Sequence, residues 1–239
     1  MTLSLDKQNT YRQRYARMRS GWRPATEIYE TVIRDQLMPD IVVLDIGCGR
    51  GGVLEQLGNI VQFPIGIDPD WLSLAEHRLS DLPRAVATAD QIPLKSESVD
   101  IVLCSWVLEH LSDPQHTFGE IARVLKPGGA FCFITPNKNS PVAWLNRVAR
   151  PFQHFLVPFF YEREESDTFP VLYRANSHLA IKKFSRDTGF TIFRLHQIKD
   201  PTYLAFHPVL FRLNVFVTNL LPRRLAEHYV GVLIKNVSG

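Results

Sequence analysis

The sequence predicts an α/β fold: a mostly parallel sheet of seven strands with helices on both faces. Three observations predict it. From residue 41 onward, short apolar runs alternate with stretches of helical character. The first run, Ile41 to Leu44, leads into Asp45 and then a turn containing Gly47, Gly49 and Gly51. The second, Phe63 to Asp68, also ends in an acid. Apolar runs this short suit strands covered on both sides.

The elements follow in order. Residues 1–38 read as helices, because Tyr11, Tyr15, Met18 and Trp22 recur at helical spacing with Arg12, Arg14, Arg17 and Arg19 between them. Strands are expected near 41–46, 63–68, 84–88, 99–104 and 130–135, and helices near 52–58, 70–80 and 114–125. Lys126-Pro127-Gly128-Gly129 supplies the stop after the third of these helices. A sixth strand is expected at 190–198 and a seventh at 229–237, whose direction the pattern leaves open. Two aromatic-rich insertions remain, 137–172 and 200–227.

Composition narrows the function. The 239 residues suffice for one α/β domain with insertions. A net charge of +3 is too small to argue for nucleic acid. Cys48, Cys104 and Cys132 lie in or beside expected strands, without metal-ligand spacing, and read as buried thiols. Met1 to Lys7 hold no signal-peptide core, so the expected location is cytoplasmic. No run of about 18 apolar residues argues for a spanning helix.

The glycine turn carries the chemistry. Glycine serves where φ is positive or where a Cβ would strike a ligand. Gly47, Gly49 and Gly52 also fit the spacing of a dinucleotide fingerprint, which keeps an NAD-dependent oxidoreductase open. Asp45 argues against it. A carboxylate beside the turn would repel a pyrophosphate but receive an ammonium. S-adenosylmethionine has that ammonium and no phosphate. Asp68 follows Gly47 by 21 residues, about the spacing at which a carboxylate accepts both ribose hydroxyls. Ala89-Asp90-Gln91-Ile92 sets a carboxylate and an amide beside apolar residues, which suits the edge of an adenine.

Five segments together resemble a family. Leu44-Asp45-Ile46-Gly47-Cys48-Gly49, Gly66-Ile67-Asp68, Ala89-Asp90, Val107-Leu108-Glu109-His110 and Leu125-Lys126-Pro127-Gly128-Gly129 resemble, in order and spacing, the class I S-adenosylmethionine-dependent methyltransferases of the small-molecule, quinone and natural-product branch. The resemblance spans about residues 40–136, and Tyr173-Arg174-Ala175-Asn176 with Phe184 to Phe190 resembles the helix and strand that follow the core.

The resemblance implies a Rossmann-like domain over 1–239. Within it, 1–38 is a helical lid, 39–136 the cofactor core, 137–176 a cap, and 177–239 the rest of the sheet with insertion 200–227. It implies a last strand antiparallel to the others. It makes S-adenosylmethionine the cofactor, with no metal, and Asp45, Gly47, Cys48, Gly49, Asp68, Pro69, Asp90, Gln91, Ser105 and Trp106 its candidate binding set. Tyr15 is the lid aromatic expected to cover the ligand.

Methyl transfer from a sulfonium is an in-line displacement that needs mainly alignment, with a base only where the acceptor must lose a proton. Glu109 and His110, just past the fourth strand, are the candidate bases, and only one of two adjacent residues is expected to face the cleft. The expected acceptor is a small aromatic or lipid-like molecule methylated at oxygen. Methylation at nitrogen or carbon, or a non-catalytic cofactor-binding subunit, is the alternative. Nucleic acid is not expected, since Ser105-Trp106-Val107-Leu108 stands where amino-group nucleic-acid methyltransferases carry Asn/Asp-Pro-Pro-Tyr/Phe. Arg147, Arg150, Arg212, Arg223 and Arg224 among the aromatics of the insertions leave room for a peripheral membrane contact.

Overall fold

A computed structural model describes residues 5–149 and 169–237. Most of insertion 137–172, with Phe152, Phe155 and the acidic run Glu162 to Asp167, lies outside the described residues. The chain divides into two compact units. One comprises Thr26–Thr135, Val171–His196 and Val230–Gly239, and the other Met1–Ala25, Pro136–Pro170 and Gln197–Tyr229.

The sheet has seven strands: β1 (Val42–Ile46), β2 (Phe63–Asp68), β3 (Arg84–Val86), β4 (Val99–Ser105), β5 (Leu125–Pro136), β6 (Phe190–Ile198) and β7 (His228–Lys235). Their order is β3-β2-β1-β4-β5-β7-β6. β1 pairs in parallel with both β2 and β4, so its apolar run is covered on both faces, and Val43, Leu44 and Ile46 are buried. β2–β3 and β4–β5 are also parallel. β7 runs the other way. Asn137, past the end of β5, donates its N–H to the carbonyl of Glu227, before β7 begins, while Lys235 near the end of β7 reaches the carbonyl of Leu125 where β5 starts. At that same end Asn236 donates to the carbonyl of Gly189, just ahead of β6. The last strand is therefore antiparallel to both neighbours.

The one charge inside the β4 run is accounted for. Asp100 Oδ2 accepts the Val42 N–H at 2.9 Å and pairs with Lys126 Nζ at 2.9 Å. The helices are α1 (Leu5–Met18), α2 (Ala25–Arg34), α3 (Val53–Leu57), α4 (Trp71–Ala75), α5 (Pro114–Val124), α6 (Pro141–Ala149), α7 (His178–Asp187) and α8 (Pro208–Leu220). The Tyr29 hydroxyl on α2 accepts from Cys104 N at 3.0 Å and donates to the Cys132 carbonyl at 3.2 Å, which pins the helix to β4 and β5. Phe118 of α5 meets Phe131 of β5 edge-on at 5.5 Å in the core. All three cysteines are buried free thiols.

Three of the boundaries that differ from the sequence expectation have a visible cause. The helix expected over 70–80 stops at Ala75. Asp70 caps it firmly, accepting from Leu72 N, Ser73 N and Ser73 Oγ, but beyond it the chain's hydrogen bonds go elsewhere. Arg78 N donates to the Arg50 carbonyl, Leu79 N to the His77 ring, and Arg84 collects the carbonyls of Leu79 and Ser80. β3 ends at Val86 rather than at 88, because its partner β2 ends at Asp68, whose carbonyl takes the last ladder hydrogen bond from Ala87 N. β5 starts at Leu125, earlier than the expected 130, and absorbs the Pro/Gly stop as a register shift between its pairings with Val99 and Ile101. Gly129 allows that shift, since a Cβ there would lie 2.9 Å from the Asp100 carbonyl oxygen.

In the other unit, Tyr11 and Tyr15 of α1 and Phe211 and Val215 of α8 form an apolar core with Ala205, and Trp22 packs against it. Arg12 pairs with the buried Asp200 at 3.1 Å, and Lys199 Nζ satisfies the carbonyls of Thr218 and Leu221 at the end of α8. The expected lid and the two insertions, remote in sequence, thus contribute to one compact unit. Among the described residues no helix is long and apolar enough to cross a membrane.

Candidate functional site

The site grows from the turn after β1. Gly47 N and Cys48 N both donate to the Ile67 carbonyl, at 2.8 and 3.2 Å, and bind the turn to the end of β2. Gly47 holds φ +74°, and a Cβ there would lie 2.3 Å from Cγ2 of Val107. The glycine therefore accommodates both a left-handed backbone and the loop after β4. Asp68 is held by two backbone donors: Gly49 N reaches Oδ2 at 2.9 Å and Asp70 N reaches Oδ1 at 2.8 Å. Each carboxylate oxygen keeps lone-pair capacity for one further donor. Pro69 follows, exposed.

Asp45 is the electrostatic anomaly. It is buried, and its Oδ1 has no hydrogen-bond partner. Burial, with the Asp68 charge adding to it, pushes its pKa up to about 7. Buried carboxylate oxygens are almost always paired, so an orphan in a glycine turn calls for a donor that is not part of the chain. A ligand ammonium meets that demand, and the residues present fit the group. Cys48 is also buried, and burial followed by the charges of Asp45 and Asp68 pushes its thiol up to about 12, far from a reactive thiolate.

Ser105, Trp106 and Val107 are half-buried at the end of β4. Trp106 adopts φ +58°, an uncommon conformation for a bulky residue, and its N–H donates to Ile134 at 3.0 Å. Glu109 and His110 sit in the one-turn helix Leu108–His110. The two neighbours differ in burial. Glu109 is buried: Thr135 Oγ1 donates to its carboxylate at 3.1 Å, and Asn176 donates in turn to Thr135. The Glu109 carbonyl accepts from Leu172 N and Tyr173 N at 2.7 and 3.1 Å. Burial pushes its carboxyl up to about 7. His110 is only half-buried.

The structure thus gathers Asp45, Gly47, Cys48, Gly49 and Asp68 around one turn, with Val107 against it. Asp90 is half-buried and Gln91 exposed in a loop clamped by α5, where Glu120 accepts from Ile92 N and Arg123 holds the carbonyls of Ile92 and Leu94. Tyr15 belongs to the other unit. Its ring is buried beside Trp22 and its hydroxyl donates to Asn219, so its visible role is to join α1 to α8. Sequence reasoning overlooked Val107, Thr135 and the Glu120–Arg123 clamp. Only the clamp left a signal, an acid and an arginine three apart on a helix.

Comparison with known proteins agrees with this geometry. Residues 44–133 match the family described as the methyltransferase domain. The chain is 35% identical over 109 residues to a ubiquinone biosynthesis O-methyltransferase of Hahella chejuensis, covering 43% of this chain and 46% of that protein. A protein of the same name from Pseudomonas putida is 29% identical over 177 residues, 70% of this chain and 69% of its own. The highest-identity matches thus span less than half of their relatives' length. Among solved structures, a geranyl diphosphate C-methyltransferase from Streptomyces coelicolor superposes with a TM-score of 0.61 at 16% identity, covering 88% of this chain and 79% of that one. The [4+2]-cyclase SpnF superposes at 0.60 and 17% identity, covering 89% and 81%. At such identities the likeness concerns the fold alone. The sheet and its helices define a Rossmann-like α/β fold. More narrowly, residues 44–133 match the methyltransferase domain and resemble S-adenosylmethionine-dependent methyltransferases.

Proposed function

We propose that this protein transfers a methyl group from S-adenosylmethionine to an oxygen of a small, apolar, aromatic or lipid-like acceptor. The observation that carries the reading is the buried, unpartnered Oδ1 of Asp45 beside a glycine turn that also fixes Asp68. The cofactor supplies an already activated methyl on a positively charged sulfur. The chain's own residues do the rest. Asp45 receives the ammonium, directly or through water. Asp68, preoriented by Gly49 N and Asp70 N, takes the ribose hydroxyls. Gly47 and Gly49 keep side chains off the ligand's path. Pro69, Asp90, Gln91, Ser105 and Trp106 are carried over from the family resemblance as flanking contacts.

Of the two candidate bases, Glu109 and His110, the surroundings of each support dividing the work. Glu109 is buried and tied through Thr135 and Asn176, so it positions the turn and the 171–176 segment. His110, half-buried, is the candidate acceptor base. Oxygen is favoured as the target because relatives at 29–36% identity bear O-methyltransferase names. Calorimetry with S-adenosylhomocysteine tests the reading. Micromolar binding that Asp45→Asn and Asp68→Ala each weaken supports it, and binding of NADH in preference would overturn it.

A further inference from the structure

We infer that the face of the second-described unit formed by α8 and the groove at the start of α6 docks on an anionic lipid bilayer. The inference concerns a surface and stands independently of the methyl acceptor.

Helix α8 is apolar on two sides. Phe211, Val215 and Thr218 face the unit's core. Opposite them Val209, Leu210, Leu213, Phe216, Val217 and Leu220 are exposed, Phe216 to 63% and Leu220 to 71%. Their spacings of three and four place them on one stripe. Single exposed apolar residues need no explanation, but six along one helix mark an interaction face.

Charge selects the partner. Residues 201–226 contain Arg212, Arg223 and Arg224 and no Asp or Glu. Residues 136–149 contain Lys138 and Arg147 and no Asp or Glu. The two stretches meet. Arg224 and Leu225 line an open groove with Lys138, Trp144 and Arg147, and Asn137 holds it together by donating to the carbonyls of Arg224 and Ala226. Trp144 is 61% exposed there, an aromatic beside three cations. An apolar stripe followed in sequence by Arg223 and Arg224, with an exposed tryptophan among cations, is complementary to phosphate headgroups over acyl chains. With 13 residues α8 is about 20 Å long, too short to span, so it lies in the interfacial plane.

Vesicle sedimentation of the full chain tests this. The protein is expected to pellet with mixed phosphatidylcholine and phosphatidylglycerol vesicles, much less with phosphatidylcholine alone, and less in high salt. Arg223→Glu with Arg224→Glu should lower partition by roughly tenfold or more, and Leu213→Ser with Phe216→Ser should do the same. Circular dichroism and thermal melting serve as fold controls, and both double variants alter exposed positions. Three outcomes would overturn the proposal: no sedimentation of the unaltered chain, sedimentation of both double variants equal to that of the unaltered chain, or a dimer that Leu213→Ser/Phe216→Ser dissolves without vesicle binding, which assigns the face to a second copy.

Discussion

Strand β1 and helix α8 are both apolar nearly throughout, yet they meet opposite fates. β1 lies between two parallel neighbours and buries every residue from Val43 to Ile46. α8 buries Phe211, Val215 and Thr218 and leaves six apolar side chains in solvent. Apolar sequence therefore has two meanings in this chain. In the sheet it specifies the fold, because each strand face has a layer to pack against. In α8 most of it lies in solvent and is available for recognition.

The sharpest break of that comparison is a pair of phenylalanine truncations. Phe131→Ala, in the fully buried β5 core, should cost about 3–5 kcal/mol in urea unfolding. Phe216→Ala should stay within about 0.5 kcal/mol, since its ring is exposed. Similar losses from both would mean that the α8 stripe is part of a folded core.

Within the sheet unit, Asp68→Ala should weaken S-adenosylhomocysteine binding ten- to about a hundredfold, with charge-assisted contacts of roughly 1.5–3 kcal/mol lost. Calorimetry showing unchanged affinity would remove the ribose assignment.

A pH series comes next in size. Burial pushes the carboxyls of Asp45, Glu109 and Glu227 each up to about 7. A carboxyl with a raised value holds its proton more tightly folded than unfolded. These three groups therefore make the ligand-free protein lose stability as pH rises from about 4 toward 7, after which their effect levels off. Asp45→Asn should flatten part of that slope. Because Asp45 must be ionised to meet an ammonium, cofactor affinity should rise roughly tenfold from pH 6 to pH 8, and the Asn variant should lack the rise.

The smallest effect is expected at Thr135→Val, which removes the hydrogen bond to Glu109. It should cost about 1–2 kcal/mol and slow turnover while leaving cofactor affinity intact. Loss of cofactor binding instead would show that Glu109 supports the β1 turn rather than the segment beyond β5.

Legibility followed the same division. Strand positions and the glycine turn were readable because they depend on local pattern: an apolar run, an acid at its end, glycines after it. The last strand's direction was not, since alternation along Tyr229 to Val237 is the same either way, and only its pairing ends decide it. The early stop of α4 depends on Arg84 and Arg50, which are distant in sequence from Ala75 and leave no periodicity behind. Tyr15 was read as a ligand cover from its place on an aromatic helix. Its burial against Trp22 needs Phe211 and Asn219, some two hundred residues away. The carboxylate at Asp45 was legible as an acid, but its isolation was visible only in three dimensions.

The contact between Gly47 and Val107 carries a rule for engineering. The missing side chain of one loop is a mould for a methyl group of the other. Anyone who exchanges the segment after β4 also inherits the shape of the turn after β1. A transplant with a larger residue at 107 would push on that turn, so the two loops have to be redesigned as a matched pair.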